Sequence, residues 1–156
     1  MNAYNFKSGV DGGIAMKILC LSLMLPMLAL GAQRTAVSPP GTPTGGTSSP
    51  GILSDGTLYV SGQTGEDATT HQIPANFEDE MKNCLSNVKL VLQANGMDFK
   101  DAVAVQVYLT DLSLFPRMNA VYITFFPEPR PARTTVGISK LTAPGAHIEI
   151  TVTAHK

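Results

Sequence analysis

Between Asn76 and Gly96 the apolar side chains of Phe77, Met81, Cys84, Leu85, Val88, Val91 and Leu92 recur at steps of three and four residues. That period fits a helix with one buried stripe. Its ends are marked as well. Asn76 can accept the first unpaired amides, Glu78, Asp79 and Glu80 set negative charge against the positive end of the helix, and Gly96 after Asn95 supplies the stop. The stripe needs a cover, and the flanking segments alternate as strands do. Ile52 to Ser54, a turn at Asp55-Gly56 and Thr57 to Gln63 read as a hairpin, with Leu58, Val60 and Gly62 on one face and Tyr59, Ser61 and Gln63 on the other. Ala102 to Thr110 places Val103, Val105, Val107 and Leu109 inward and Ala104, Gln106 and Tyr108 outward. A second helix is expected from Phe115 to Phe126, with Phe115, Met118, Val121, Tyr122, Phe125 and Phe126 as its stripe. After a turn at Pro144-Gly145, a last strand runs from His147 to Ala154, with Ile148, Ile150 and Val152 on one face and Glu149, Thr151 and Thr153 on the other.

Between the second helix and that last strand lies Pro129-Arg130-Pro131-Ala132-Arg133-Thr134-Thr135-Val136. The prolines hold the entry extended, and the β-branched residues continue as a strand. Arg133 is thereby fixed where a rigid loop becomes a strand. Its planar fork suits a carboxylate or a phosphate, although a surface salt bridge would use the same residue. The order of elements predicts an α+β fold, one mixed sheet with two helices on a single face. The other face would carry Tyr59, Ser61, Gln106, Tyr108, Thr135 and Glu149. A face so mixed is either solvated or covered by another subunit.

Composition narrows the function. The 156 residues carry a formal net charge of −1 without a basic run, which argues against a nucleic-acid surface. Cys20 and Cys84 are the only cysteines, too few for a disulfide framework or a zinc site. Cys84 falls on the buried stripe and reads as a packed thiol. His71, His147 and His155 have no metal-ligand spacing and read as solvated, so no metal site is expected. Met16-Lys17, the apolar run Ile18 to Leu30 and the small residues Ala29 and Gly31 read as a cleaved export signal, too short to span a bilayer comfortably, with an uncleaved anchor or an apolar core segment as the alternatives. The expected organisation is an N-terminal extension and signal over residues 1–31, a flexible Pro/Gly/Ser/Thr-rich lead-in over 32–50 and one domain over 51–156. The processed chain would be periplasmic or secreted, without a stable membrane anchor, and would hold Cys84 as its only thiol.

Six segments together resemble the RidA/YjgF family of reactive intermediate deaminases. They are Tyr59-Val60-Ser61-Gly62-Gln63, Ser86-Asn87-Val88-Lys89 with Asn95-Gly96, Val107-Tyr108-Leu109-Thr110-Asp111-Leu112, Met118-Asn119-Ala120-Val121-Tyr122 with Phe125-Phe126, Pro131-Ala132-Arg133-Thr134 and Ile148-Glu149-Ile150. The resemblance implies a chorismate mutase-like homotrimer with clefts between subunits. It also implies cofactor-free hydrolysis of 2-imino or enamino acids to 2-keto acids and ammonia, as in a 2-iminobutanoate/2-iminopropanoate deaminase. Arg133 matches the position that holds the substrate carboxylate, and Glu149 the one that orients or activates water. Ser61, Gly62 and Asn119 match positions that line or support the cleft. Two departures stand out. Thr135 replaces the family's frequent cysteine, and Gly46-Thr47-Ser48 stands where a Gly-Pro-Tyr segment supplies a cleft tyrosine. Each residue also has a plainer role: Glu149 in an ion pair, Ser61 as a strand end, Asn119 in a helix-to-loop hydrogen bond. The alternative to an enzyme is a module that binds small carboxylates or a protein partner in the same clefts.

Overall fold

The computed structural model describes Gly31, residues 33–43 and residues 45–156. The expected export signal lies outside these residues apart from Gly31. Six strands form one sheet: β1 (Arg34–Val37), β2 (Gly51–Ser54), β3 (Thr57–Thr64), β4 (Ala102–Leu109), β5 (Ala132–Gly137) and β6 (Ile148–His155). Their spatial order is β1-β2-β3-β6-β4-β5, antiparallel throughout except for the β4–β5 pair. Two helices, α1 (Phe77–Ala94) and α2 (Phe115–Phe125), lie on one side of the sheet. The architecture is the α+β one that the periodicities predicted.

The core forms where the stripe of α1 meets the inward residues of the sheet. Met81, Cys84, Leu85, Val88 and Leu92 are fully buried, as are Leu58, Val107, Leu109, Ile148 and Ile150. Asn76 caps α1 by accepting from the Asp79 amide at 3.1 Å. The two helices are tied at their N-terminal ends by a forked pair, with Arg117 Nε 2.7 Å from Glu78 Oε1 and Nη2 2.5 Å from Oε2.

Three expectations change. The lead-in is not wholly flexible: Arg34 to Val37 pairs with β2, and Val37 is buried, before Pro39-Pro40 ends the strand. Four residues inside a Pro/Gly-rich stretch are too few for alternation to show. Val103, expected inward, is 50% exposed because the β4–β6 register shifts between Ala102 and Ala104 and turns Ala102 inward instead. Gly62 also changes sides. The β3–β6 register shifts between Val60 and Gln63, which leaves Val60 facing the core opposite Val152 and Gln63 opposite Ile150.

Candidate substrate site

β5 enters its edge position directly after Pro131 and pairs Arg133 with Val105 and Thr135 with Val107. Val105 and Val107 point into the core, so Arg133 and Thr135 share the helix side of the sheet. This corrects the expectation that Thr135 lies on the open face; exposed Thr134, opposite Gln106, takes that place. The guanidinium carbon of Arg133 lies 4.5 Å from the ring centroid of Tyr122 and 5.6 Å from that of Phe115. Its Nη1 is 3.9 Å from the Met118 sulfur. Positions 115, 118 and 122 form one face of α2, so the helix supplies an aromatic and thioether floor under the cation. Half-buried Asn119, four residues after Phe115 and three before Tyr122, borders the same face.

Arg117 and Arg130 each have a glutamate partner, Glu78 and Glu128, but among the described residues no carboxylate pairs with Arg133. Two more polar groups near it are unpaired. The Tyr122 and Thr135 hydroxyls are both buried without a hydrogen-bond partner. A buried hydroxyl left so costs about 1–3 kcal/mol, which an incoming ligand with suitable acceptors would recover. Burial raises the Tyr122 hydroxyl pKa, and the positive charges of Arg133 and Arg130 oppose that shift. Sequence reading places Tyr122 in an apolar stripe and in one of the family segments, without a role in the site. Its hydroxyl inside that stripe was the available signal.

Glu149 occupies the other face. It pairs with Thr64 on β3 and Tyr108 on β4, between the fully buried Ile148 and Ile150 that point the opposite way. The bulge in β3 brings Gly62 under its carboxylate. A Cβ on Gly62 would lie 2.7 Å from the Glu149 carboxyl carbon, so only glycine leaves that space. Ser61 beside it donates its hydroxyl to the Ser49 carbonyl at 2.6 Å and its amide to the Pro50 carbonyl at 2.9 Å. Ser61 and Gly62 line a cleft of about 760 Å³ between residues 39–43 and 48–50 on one side and Asn87 and Leu90 of α1 on the other. The end of β3 is pinned to α1 by side chains. Cys84 Sγ donates to the Gln63 carbonyl at 3.1 Å, and Asn87 Nδ2 donates to the Thr64 and Glu66 carbonyls at 3.0 Å each. Burial, then the carboxylates of Glu80 and Glu149, push the Cys84 thiol far above its ordinary pKa, as befits a packed thiol.

The structure therefore brings together Arg133, Thr135, Tyr122 and Asn119 on one side and Glu149 with Gly62 on the other, while Ser61 is tied to the Ser49 and Pro50 carbonyls in the cleft that reaches α1. Arg133 and Glu149 face opposite sides of the sheet, so neither an ion pair between them nor a joint site forms within one chain. All three histidines are exposed, as expected, and each also has a polar partner. His71 Nδ1 is 3.0 Å from Glu66 Oε1, His155 Nδ1 is 3.1 Å from Thr57 Oγ1 and His147 Nδ1 is 2.8 Å from Glu80 Oε2.

A family model described as Endoribonuclease L-PSP matches residues 42–156. The 2-iminobutanoate/2-iminopropanoate deaminase of Rattus norvegicus is 38% identical over 106 residues, which cover 67% of this chain and 77% of the relative. Among solved structures, RidA from the Antarctic bacterium Psychrobacter sp. PAMC 21119 superposes with a TM-score of 0.72 at 31% identity, covering 78% of this chain and 99% of that one. E. coli TdcF, solved with bound serine, gives a TM-score of 0.70 at 29% identity, with 78% and 98% covered. Sequence and fold agree, and the chain belongs to the RidA/YjgF family, the one described as Endoribonuclease L-PSP.

Proposed function

We propose that this protein hydrolyses small 2-imino acids to 2-keto acids and ammonia without a cofactor, in a site that two copies of the chain build together. The observation that carries this reading is the Arg133 guanidinium, stacked on Tyr122 and without a carboxylate partner among the described residues. A planar cation held in this way is preorganised for a bidentate carboxylate. The unpaired Tyr122 and Thr135 hydroxyls beside it can bond the ligand or a water molecule. The deaminase name of the rat relative and the serine of TdcF both fit a small ligand bearing a carboxylate.

The chemistry asked of the site is modest. Water adds to the protonated C=N carbon, giving a carbinolamine. Its C–N bond then breaks, ammonia leaves with the electron pair, and the hydroxyl proton is lost as the ketone forms. Arg133 of one copy holds the carboxylate, and Glu149 of a neighbouring copy takes the proton from the attacking water and returns one to the departing nitrogen. Gly62 leaves room for the Glu149 carboxylate, Ser61 shapes the adjoining loop, and Asn119 borders the arginine floor.

The test is a coupled assay in which 2-iminopropanoate is generated in situ and its loss is followed with and without the protein. The parent should accelerate that loss. Arg133→Ala should abolish both hydrolysis and 2-keto acid binding, and Arg133→Lys should restore little, because a point charge lacks the planar fork. Glu149→Gln should slow turnover roughly a hundredfold or more while keto-acid affinity is kept. A parent with no hydrolysis above background, yet with keto-acid binding that depends on Arg133, would leave the binding-module reading in its place.

A further inference from the structure

We propose that Glu80 is a positioning residue for Glu149: its buried carboxylate holds the start of β6 where β3 turns away, and so fixes where Glu149 stands. The proposal rests on the catalytic reading of Glu149 given above. From sequence, Glu80 is one of three acidic residues in the first turn of α1. The structure separates it from the other two, because its side chain is fully buried. Oε1 accepts from the amides of His147 at 2.6 Å and Ile148 at 3.2 Å, and Oε2 lies 2.8 Å from His147 Nδ1. A carboxylate removed from water needs such donors, and charge-assisted bonds of this kind are the strong ones.

The location gives the clamp its purpose. The β3–β6 ladder ends at the pair Thr64 and Glu149. Beyond it, Gly65 packs so closely on α1 that a Cβ there would lie 2.8 Å from the Glu80 carbonyl carbon. The carbonyls of Thr64, Gly65 and Glu66 are taken by the side-chain amides of Asn87 and Asn83. The departing strand therefore bonds to the helix, and Glu80 receives the amides of His147, just before β6, and of Ile148, its first residue, next to the end of the ladder. Glu149 directly follows the two clamped residues, and its carboxylate must come to rest over Gly62. A small movement of Ile148 would carry Glu149 off that position, while Arg133, on β5, would stay where it is.

The experiment compares the wild type with Glu80→Gln, Glu80→Ala and Glu80→Asp. Glutamine keeps an oxygen for both backbone amides and requires only a change of tautomer at His147. Its kcat should stay within about threefold of wild type, since the clamp survives. Alanine removes the clamp, and aspartate withdraws the carboxylate by about one carbon–carbon bond, roughly 1.5 Å. In both, kcat should fall by about tenfold or more with KM within about twofold, because misplacing a catalytic group slows chemistry without weakening the carboxylate clamp. Backbone hydrogen exchange at His147 and Ile148 should quicken in the alanine and aspartate variants and not in the glutamine one. A wild-type kcat in Glu80→Asp would overturn the proposal even if Glu80→Ala does not fold. So would equal losses in the glutamine and aspartate variants. If the wild type hydrolyses no imine, the functional reading fails by itself. The clamp is then judged on exchange alone, and unchanged exchange in Glu80→Asp rejects it.

Discussion

At the residue scale, each side of the candidate site depends on one unusual environment. Glu149 needs the space that glycine leaves at position 62, where any Cβ meets its carboxyl group. Gly62→Ala should therefore lower imine turnover by about tenfold or more through displacement of Glu149, while keto-acid binding, which depends on Arg133, is unchanged. Parallel steady-state and binding measurements decide it, and a wild-type kcat would show that the contact is dispensable. Cys84 gives a second test. Its thiol is fully buried, bonded to the Gln63 carbonyl, and raised in pKa chiefly by desolvation. A thiol reagent that needs the thiolate should leave Cys84 unmodified in the native protein at neutral pH and reach it once denaturant opens the core, as peptide mapping would read. Cys84 was legible in sequence through the helix period, and Arg133 and Glu149 as candidates through the family resemblance. The unpaired hydroxyl of Tyr122 and the burial of Glu80 were not. Helical spacing shows which residues share a stripe, but not which polar atom in or beside it lacks or finds a partner.

At the element scale, the long regular segments matched their patterns, and the departures lie where the register slips. Gly62 and Val103 were assigned to faces by uninterrupted alternation, yet a shift in each ladder moved them across the sheet. Both shifts adjoin β6, the strand that carries Glu149. The packing of α1 on α2 also has a pH signature. The forked Arg117 pair holds the Glu78 carboxyl at a pKa of about 2, below the usual 4.5. A carboxyl depressed in the folded state contributes stability that is fully present above its unfolded value and is lost as pH falls through the folded one. Glu78→Gln should thus melt slightly below wild type at neutral pH, and the gap should close between about pH 4.5 and 2. The gap should be small, since both side chains are partly exposed and screened. Thermal unfolding across that range measures it, and a gap that persists unchanged at the acid end would show that the charge pair contributes nothing.

At the scale of the whole molecule, two expectations meet. The apolar segment ahead of Ala32 reads as an export signal, and β1 begins at Arg34, so cleavage after Gly31 would leave every described strand and helix in place. Mass spectrometry of the protein from its native host should find a chain starting near Ala32, and an intact Met1 or Met16 terminus would reject export. Assembly allows a sharper experiment. Arg133 and Glu149 face opposite sides of one sheet, so if both act on one substrate they must come from different copies. The family resemblance implies a closed trimer, and light scattering of the processed chain should give three copies. In such a ring each cleft takes its arginine from one subunit and its glutamate from the next. Arg133→Ala and Glu149→Gln should each be nearly inactive alone. When the two are unfolded together and refolded as an equal mixture, random assembly should pair an intact arginine with an intact glutamate in about a quarter of the clefts, restoring about that share of activity. Refolded alone, neither variant should gain activity. An equal mixture that stays as inactive as its parents, with mixed trimers confirmed by native mass spectrometry, would mean that the two residues never share a substrate, and the hydrolytic role of Glu149 would fall with the shared cleft.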